Sequence, residues 1–194
     1  MKLSDELAPG LLLAAPRLAD PNFEKTVVLL GRCDGEGALG WVINGRELAP
    51  VHELLVASEL FPAETPLPKG PNFSRVACVG GPVAPATGWL MYRRLSVPLP
   101  GELALHEDLA VTGEAGAFTV LVEGGGPAEF RLVLGCAGWA PGQLENEISE
   151  GAWLPAALEP DLLFETSAER IWDEAYRRAI GAAPAAFTSR PAKA

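Results

Sequence analysis

The sequence is poor in the residue types that most often carry chemistry, with three cysteines and two histidines in 194 residues. Cys33, Cys78 and Cys136 stand far apart with no Cys-x-x-Cys among them. They suggest neither a disulfide framework nor a zinc ribbon, and read as reduced, mostly buried thiols. Neither His52 nor His106 belongs to a motif such as His-Glu-x-x-His, so no metal site is expected. His52, next to Glu53 at the start of a short helix, reads as a solvated side chain rather than a general base. No Gly-x-Ser-x-Gly elbow and no Gly-x-x-x-x-Gly-Lys loop occurs, which argues against serine hydrolases and phosphate-loop enzymes. No catalytic set and no cofactor is expected. Positive charge is scarce as well: 15 Lys and Arg face 25 Asp and Glu, for a formal net charge of -10. Such a surface repels phosphate backbones and anionic lipid, so nucleic acid is a disfavoured partner. The short pairs Arg93-Arg94 and Arg177-Arg178 do not reverse this. The start, Met1-Lys2-Leu3-Ser4-Asp5-Glu6, leads into an apolar run broken by Pro9, Gly10 and Pro16. It reads as neither a signal peptide nor a membrane span, and a cytoplasmic location is expected.

What is present is the balance of an ordinary globular protein, 48% hydrophobic and 21% charged, in a length suited to one core. A single domain is expected over 1–181, followed by a disordered Ala/Pro-rich tail over 182–194. Asp20-Pro21-Asn22-Phe23-Glu24 reads as one helical turn, because Asp can accept from free N–H groups and Pro suits a first helical position. Thr26 to Leu30 and Ala38 to Ile43 read as strands of a hairpin with a somewhat long loop over Asp34-Gly35-Glu36-Gly37. A short helix follows from Val51, then a Pro-rich loop from Pro62 to Pro71. Further strands read over Arg75–Val79, Gly88–Tyr92 and Phe130–Leu134. Ala115 to Glu123 fits either period, and the glycines at 124–126 tip the reading to helix. The last helix carries the clearest signals: Thr166-x-x-Glu169 as a capping box, Asp173/Arg177 and Glu174/Arg178 as i,i+4 pairs, and Gly181 as the stop.

Gly35-x-Gly37-x-x-Gly40 matches the dinucleotide fingerprint by letter, yet Trp41-Val42-Ile43 continues as a strand where that fingerprint requires a helix. A hairpin is the better reading. The most distinctive run is Gly138 to Ile148, closed by Ala152-Trp153-Leu154. Pro141 and the following acids suit a short helix with Leu144 and Ile148 on its buried side, so that Gln143 and Glu147 share a face. On a helix Glu145 and Glu147 point about 160° apart and make a poor acid/base pair. In an extended run they would share a face.

The motif Gly-Trp-x-x-Gly-Gln-Leu-Glu-x-Glu-Ile, with Trp153-Leu154 after it, resembles the hallmark of the AlgH/YqgE family of small bacterial proteins. The likeness extends from Gly10 to Gly181 through Asp20-Pro21, Phe23, Val42-Ile43-Asn44, Gly80-Gly81-Pro82-Val83 and Trp172. It departs at Gly45 to Glu47, where the family usually places a basic residue and a proline. The resemblance implies an α/β (α+β) fold, a bifurcated, curved mixed sheet forming a pseudo-barrel with surrounding helices. It also implies a regulator label without an agreed activity. The expected function is a non-enzymatic regulatory or adaptor protein with an unidentified protein partner. The alternatives are a direct transcriptional regulator and a small-molecule binder or enzyme. Candidate site residues are Asp20, Asn44, Trp139, Gln143, Glu145 and Glu147, polar or aromatic positions in apolar or glycine-rich motifs. Asp20 and Asn44 are expected to brace loops. Gln143 and its following acids are expected to form an exposed rim, so that replacing Gln143 and Glu147 together by Ala would move the melting temperature by only a few degrees.

Overall fold

A computed structural model describes residues 7–58, 60–62 and 64–187. Its strands are β1 (Gly10–Ala14), β2 (Val27–Asp34), β3 (Gly37–Val42), β4 (Glu47–Pro50), β5 (Val76–Val79), β6 (Val83–Arg93), β7 (Leu103–Ala104), β8 (Leu109–Thr112), β9 (Phe130–Trp139) and β10 (Trp153–Ala156). The helices are α1 (Val51–Ala57), α2 (Pro71–Ser74), α3 (Ala115–Val122), α4 (Gln143–Ser149), α5 (Pro160–Glu165) and α6 (Ala168–Ile180).

One mixed, predominantly antiparallel sheet carries eight of these strands in the order β10-β1-β2-β3-β9-β6-β8-β7 and does not close, with β4 paired to β5 off this path. The fork lies in β9. Its first half pairs β5 in parallel through Val133 and Leu134, while its second half pairs β3 through Ala137, Gly138 and Trp139. The opposite edge of β9 stays on β6. Gly135, at φ +78, sits between the two halves, and a Cβ there would come within 2.5 Å of the Gly81 carbonyl oxygen. Gly80 bridges the branches: its N–H donates to Leu134 O and its carbonyl accepts from Val42 N–H. The Gly80-Gly81 motif thus allows backbone to meet backbone where the sheet divides.

β1 is buried at every position because both faces are covered, which explains its unbroken apolar run. On one face α5 and α6 pack over Leu11, Leu13, Leu29 and Trp41. On the other, Leu12, Ala14 and Val28 meet Leu144 of α4 and the indoles of Trp139 and Trp153. A further cluster beyond the fork joins α1 and α3 to Leu90, Tyr92 and Phe130.

Most local readings hold, including the hairpin at Gly35-x-Gly37-x-x-Gly40, the helix over 115–122 and the helix stops at Gly124 and Gly181, both with positive φ. Several details differ. The hairpin loop is short, since Asp34 pairs directly with Gly37. The N-cap of α6 is Ser167 without a side-chain cap bond, so Thr166-x-x-Glu169 is not a capping box. Thr166 instead is extended and gives its carbonyl to Arg131. Arg177 pairs with Glu174 rather than Asp173, and Arg178 with both Glu174 and Glu159. Of the segment read as a tail, Pro184–Phe187 forms a 3-10 turn whose Phe187 ring stands 6.3 Å from that of Tyr176. Residues 188–194 lie outside the described part.

Candidate functional site

The Gly138–Ile148 run folds as its residues dictate, into the end of β9, a turn, and α4. Gly142 takes φ +77, a conformation that suits glycine, and reverses the chain into the helix. Gln143 and Glu147 then stand one turn apart, and Gln143 Nε2 donates to Glu147 Oε1 at 2.8 Å. Gln143 Oε1 accepts from Ala140 N–H at 3.0 Å, tying the helix back to the turn before it. Glu147 Oε2 accepts from two indoles, Trp139 Nε1 at 3.0 Å and Trp153 Nε1 at 2.8 Å. Those rings are 7% and 4% exposed and meet edge to face, 6.0 Å between centroids. Phe23 completes the cluster, stacked on Trp139 at 6.2 Å and edge-on to Trp153 at 5.4 Å.

Gln143 is exposed as expected, but the geometry corrects the exposed-rim expectation for Glu147. Glu147 is only half exposed, and its carboxylate supplies the acceptor that two buried indole N–H groups require. Glu145, on the same helix, makes no hydrogen bond or ion pair with a described residue. Asp20 and Asn44 are the braces expected of them. Asp20 Oδ1 caps the Asn22 N–H at 2.8 Å in the turn that carries Phe23. Asn44 Oδ1 accepts from Val27 N–H at 2.7 Å while its Nδ2 donates to Lys25 O at 3.0 Å, clamping Lys25 at φ +54. Trp139, Gln143 and Glu147 therefore form one network. Asp20 joins it through the Phe23 turn, and Asn44 lies at the far end of β3 from Ala38, the strand partner of Trp139.

The largest concavity among the described residues lies elsewhere, and none of the six candidate residues lines it. It is a groove of about 610 Å³ between the β10 side of the sheet and the C-terminal half of α6. Trp153 and Leu154 form one wall, Tyr176 and Ile180 the other, with Phe187 at one end and Arg17 at the rim. A second hollow of about 320 Å³ continues along β10 past Pro155 and Ala156 and shares Ile180 with the first. The groove depends on how α6 is seated. Trp172 Nε1 and Tyr176 Oη both donate to Ala14 O, at 2.9 and 3.1 Å, which pins the helix across β1. Sequence reasoning missed the groove. The one local sign was Phe187, a large apolar residue in an Ala/Pro-rich stretch.

Titratable chemistry is buried rather than poised. Burial, then the nearby Arg75 guanidinium, pushes the Arg131 pKa down to about 10. Arg131 and Arg75 both donate to carbonyls at the end of α5, of Thr166 and Phe164, where cations complement the helix dipole. Burial likewise pushes the Cys78 thiol up, away from a reactive thiolate. Among the described residues one group of three potential metal ligands occurs, His106, Glu107 and Asp108. These are loop neighbours, and His106 Nδ1 is taken by the Asp108 N–H at 3.2 Å.

A sequence profile described as AlgH-like matches residues 11–184. The chain belongs to the AlgH-like family. A UPF0301 protein of Anaeromyxobacter sp. (strain K) is 40% identical to this AlgH-like chain over 182 residues, covering 93% of it and 91% of the relative. A UPF0301 protein of Xylella fastidiosa (strain 9a5c) is 35% identical over 172 residues, covering 89% and 88%. The solution structure of the AlgH protein from Pseudomonas aeruginosa superposes with a TM-score of 0.74 at 30% identity, covering 100% of both chains. A crystal structure of a protein from Corynebacterium diphtheriae shares the fold at a TM-score of 0.67 and 24% identity, covering 88% and 86%. Among the described residues of the AlgH-like chain, no helix is long and apolar enough to cross a membrane.

Proposed function

We propose that this AlgH-like chain is a regulatory or adaptor protein that acts by binding another protein at the groove between β10 and α6. One observation carries the reading. Two large apolar side chains, Ile180 and Phe187, are 44% and 57% exposed at the lip of an apolar trough lined by Leu154 and Tyr176. Clustered apolar exposure of this kind is unfavourable in water and marks an interaction surface, with aromatic residues as its usual anchors. A volume of this size would also hold a small molecule. The exposed lip favours a partner that covers it. The Gln143–Glu147 network plays a supporting part, anchoring β10 through the Trp153 indole on the opposite face of the sheet while Leu154 faces the groove.

The test compares the tagged full chain with an Ile180→Asp variant, both cross-linked in the cells that express them naturally. A partner held in stoichiometric amount by the unaltered chain and lost by the variant is the expected outcome. Finding no such partner, or the same one on both chains, would sink the reading.

A further inference from the structure

Resting on that protein-binding reading, we infer that the groove takes an extended segment of its partner, one that pairs with the free edge of β10 and carries a carboxylate beside an apolar anchor. The backbone sets the first condition. β10 is the terminal strand of the sheet and, among the described strands, pairs only with β1. Ala15 N–H donates to Ala152 O, so residues 152, 154 and 156 turn their peptide groups toward β1. Ala14 points the other way, with its N–H on Thr26 O, in keeping with this alternation. Trp153 and Pro155 therefore face outward, offering one N–H and two carbonyls. An added strand must supply donors opposite both carbonyls and needs no acceptor opposite Pro155, which has no N–H. That pattern admits an extended segment in one register and discourages open-ended sheet growth.

Side chains set the other two conditions. A segment on that edge runs beside the apolar trough, where Leu154, Tyr176, Ile180 and Phe187 surround room for one bulky apolar side chain. Charge comes from Arg17, which lines the groove, is exposed, and spends one hydrogen bond on the Glu150 carbonyl at 3.1 Å without pairing to a carboxylate among the described residues. The other cation along the trough, Arg178, is already held by Glu159 and Glu174. Arg17 is thus the unneutralised charge at the lip, and an acidic group is its complement. The chain's own residues 188–194, Thr-Ser-Arg-Pro-Ala-Lys-Ala, carry no bulky apolar side chain to fill the trough and so do not meet these conditions.

A library of random twelve-residue peptides displayed on phage and selected on the purified full chain tests this. Enriched peptides should carry Phe, Leu or Trp within about three residues of Asp or Glu, spaced for one strand. Arg17→Glu should weaken the selected peptides at least tenfold and, in a fresh selection, exchange acids for Lys or Arg. Ile180→Asp should abolish enrichment. Both positions are exposed, and thermal melts of each variant confirm that the fold is kept. A library that yields no acid-apolar consensus, or peptides whose affinity stays within twofold on Arg17→Glu, overturns the inference. A cellular partner still lost on Ile180→Asp would then show that the groove receives a folded surface instead, leaving the function proposed above intact.

Discussion

Replacing Glu147 by alanine should be among the most damaging single changes on α4, although the residue is only half buried. Two indole N–H groups, Trp139 Nε1 and Trp153 Nε1, share one of its oxygens at 3.0 and 2.8 Å. Both rings are buried, so water cannot readily replace the lost acceptor. Leaving a buried donor unpaired costs about 1–3 kcal/mol. Two such donors, with the Gln143 bond lost as well, bring the expected loss to roughly 3–5 kcal/mol. For a domain of this size each kcal/mol moves the melting temperature by about 2–4 °C, so a fall on the order of 10 °C is expected. Thermal unfolding followed by circular dichroism and tryptophan fluorescence measures it. Glu147→Gln keeps an acceptor oxygen for the indoles but loses the charge and the bond from Gln143 Nε2, and should cost about 1–2 kcal/mol. Trp139→Phe should cost less in the Glu147→Ala background than alone, since no donor is then left to strand. A melting temperature within about 2 °C of the unaltered protein for Glu147→Ala would refute this reasoning and restore the exposed-rim view.

Gly135→Ala should destabilise by at least about 2 kcal/mol, because it combines a positive φ with a backbone clash at the fork; denaturant unfolding would show it, and an unchanged midpoint would rule out the close approach. Asn44→Ala strands the Val27 N–H and frees Lys25 from its clamp, at a cost of about 1–2 kcal/mol, with amide exchange at Val27 rising ahead of its neighbours. Hydrogen bonding from Arg178 holds the Glu174 carboxyl below the usual glutamate range. Its folded pKa is therefore lower than its unfolded one, so its stabilising effect is present above the unfolded value and is lost as pH falls through the folded value. Carboxyl NMR titration should place Glu174 below exposed glutamates, and Arg178→Gln should raise it part of the way back, Arg177 keeping the remainder.

Local chemistry was legible in the sequence wherever a residue acts on its near neighbours. Asp20 caps its own turn, the glycines at 124 and 181 stop their helices, Gly35 to Gly40 make a hairpin, and Gln143 and Glu147 share a helix face. The spacing of these residues determines them. The AlgH-like fold was legible for a different reason, since its motifs are spread from Gly10 to Gly181 and are specific only together. Failures came where two elements distant in sequence decide the outcome. The capping box of α6 went astray because Thr166 gives its carbonyl to Arg131, 35 residues away. Of its two expected ion pairs Glu174/Arg178 formed and gained Glu159 as a distant second partner, while Arg177 took Glu174 in place of Asp173. Glu147 lies eight and six residues from its two tryptophans, yet no periodicity says that β9 and β10 would aim both indoles at one oxygen. That depends on α4 folding back between them. The groove is the extreme case: its walls come from β10 and α6, and it exists because Trp172 and Tyr176 hold α6 on the Ala14 carbonyl, 158 and 162 residues back in the chain. Sequence periodicity records which face of an element is apolar. Only tertiary packing decides how much of that face is left uncovered, and that uncovered part is where the proposed partner would sit.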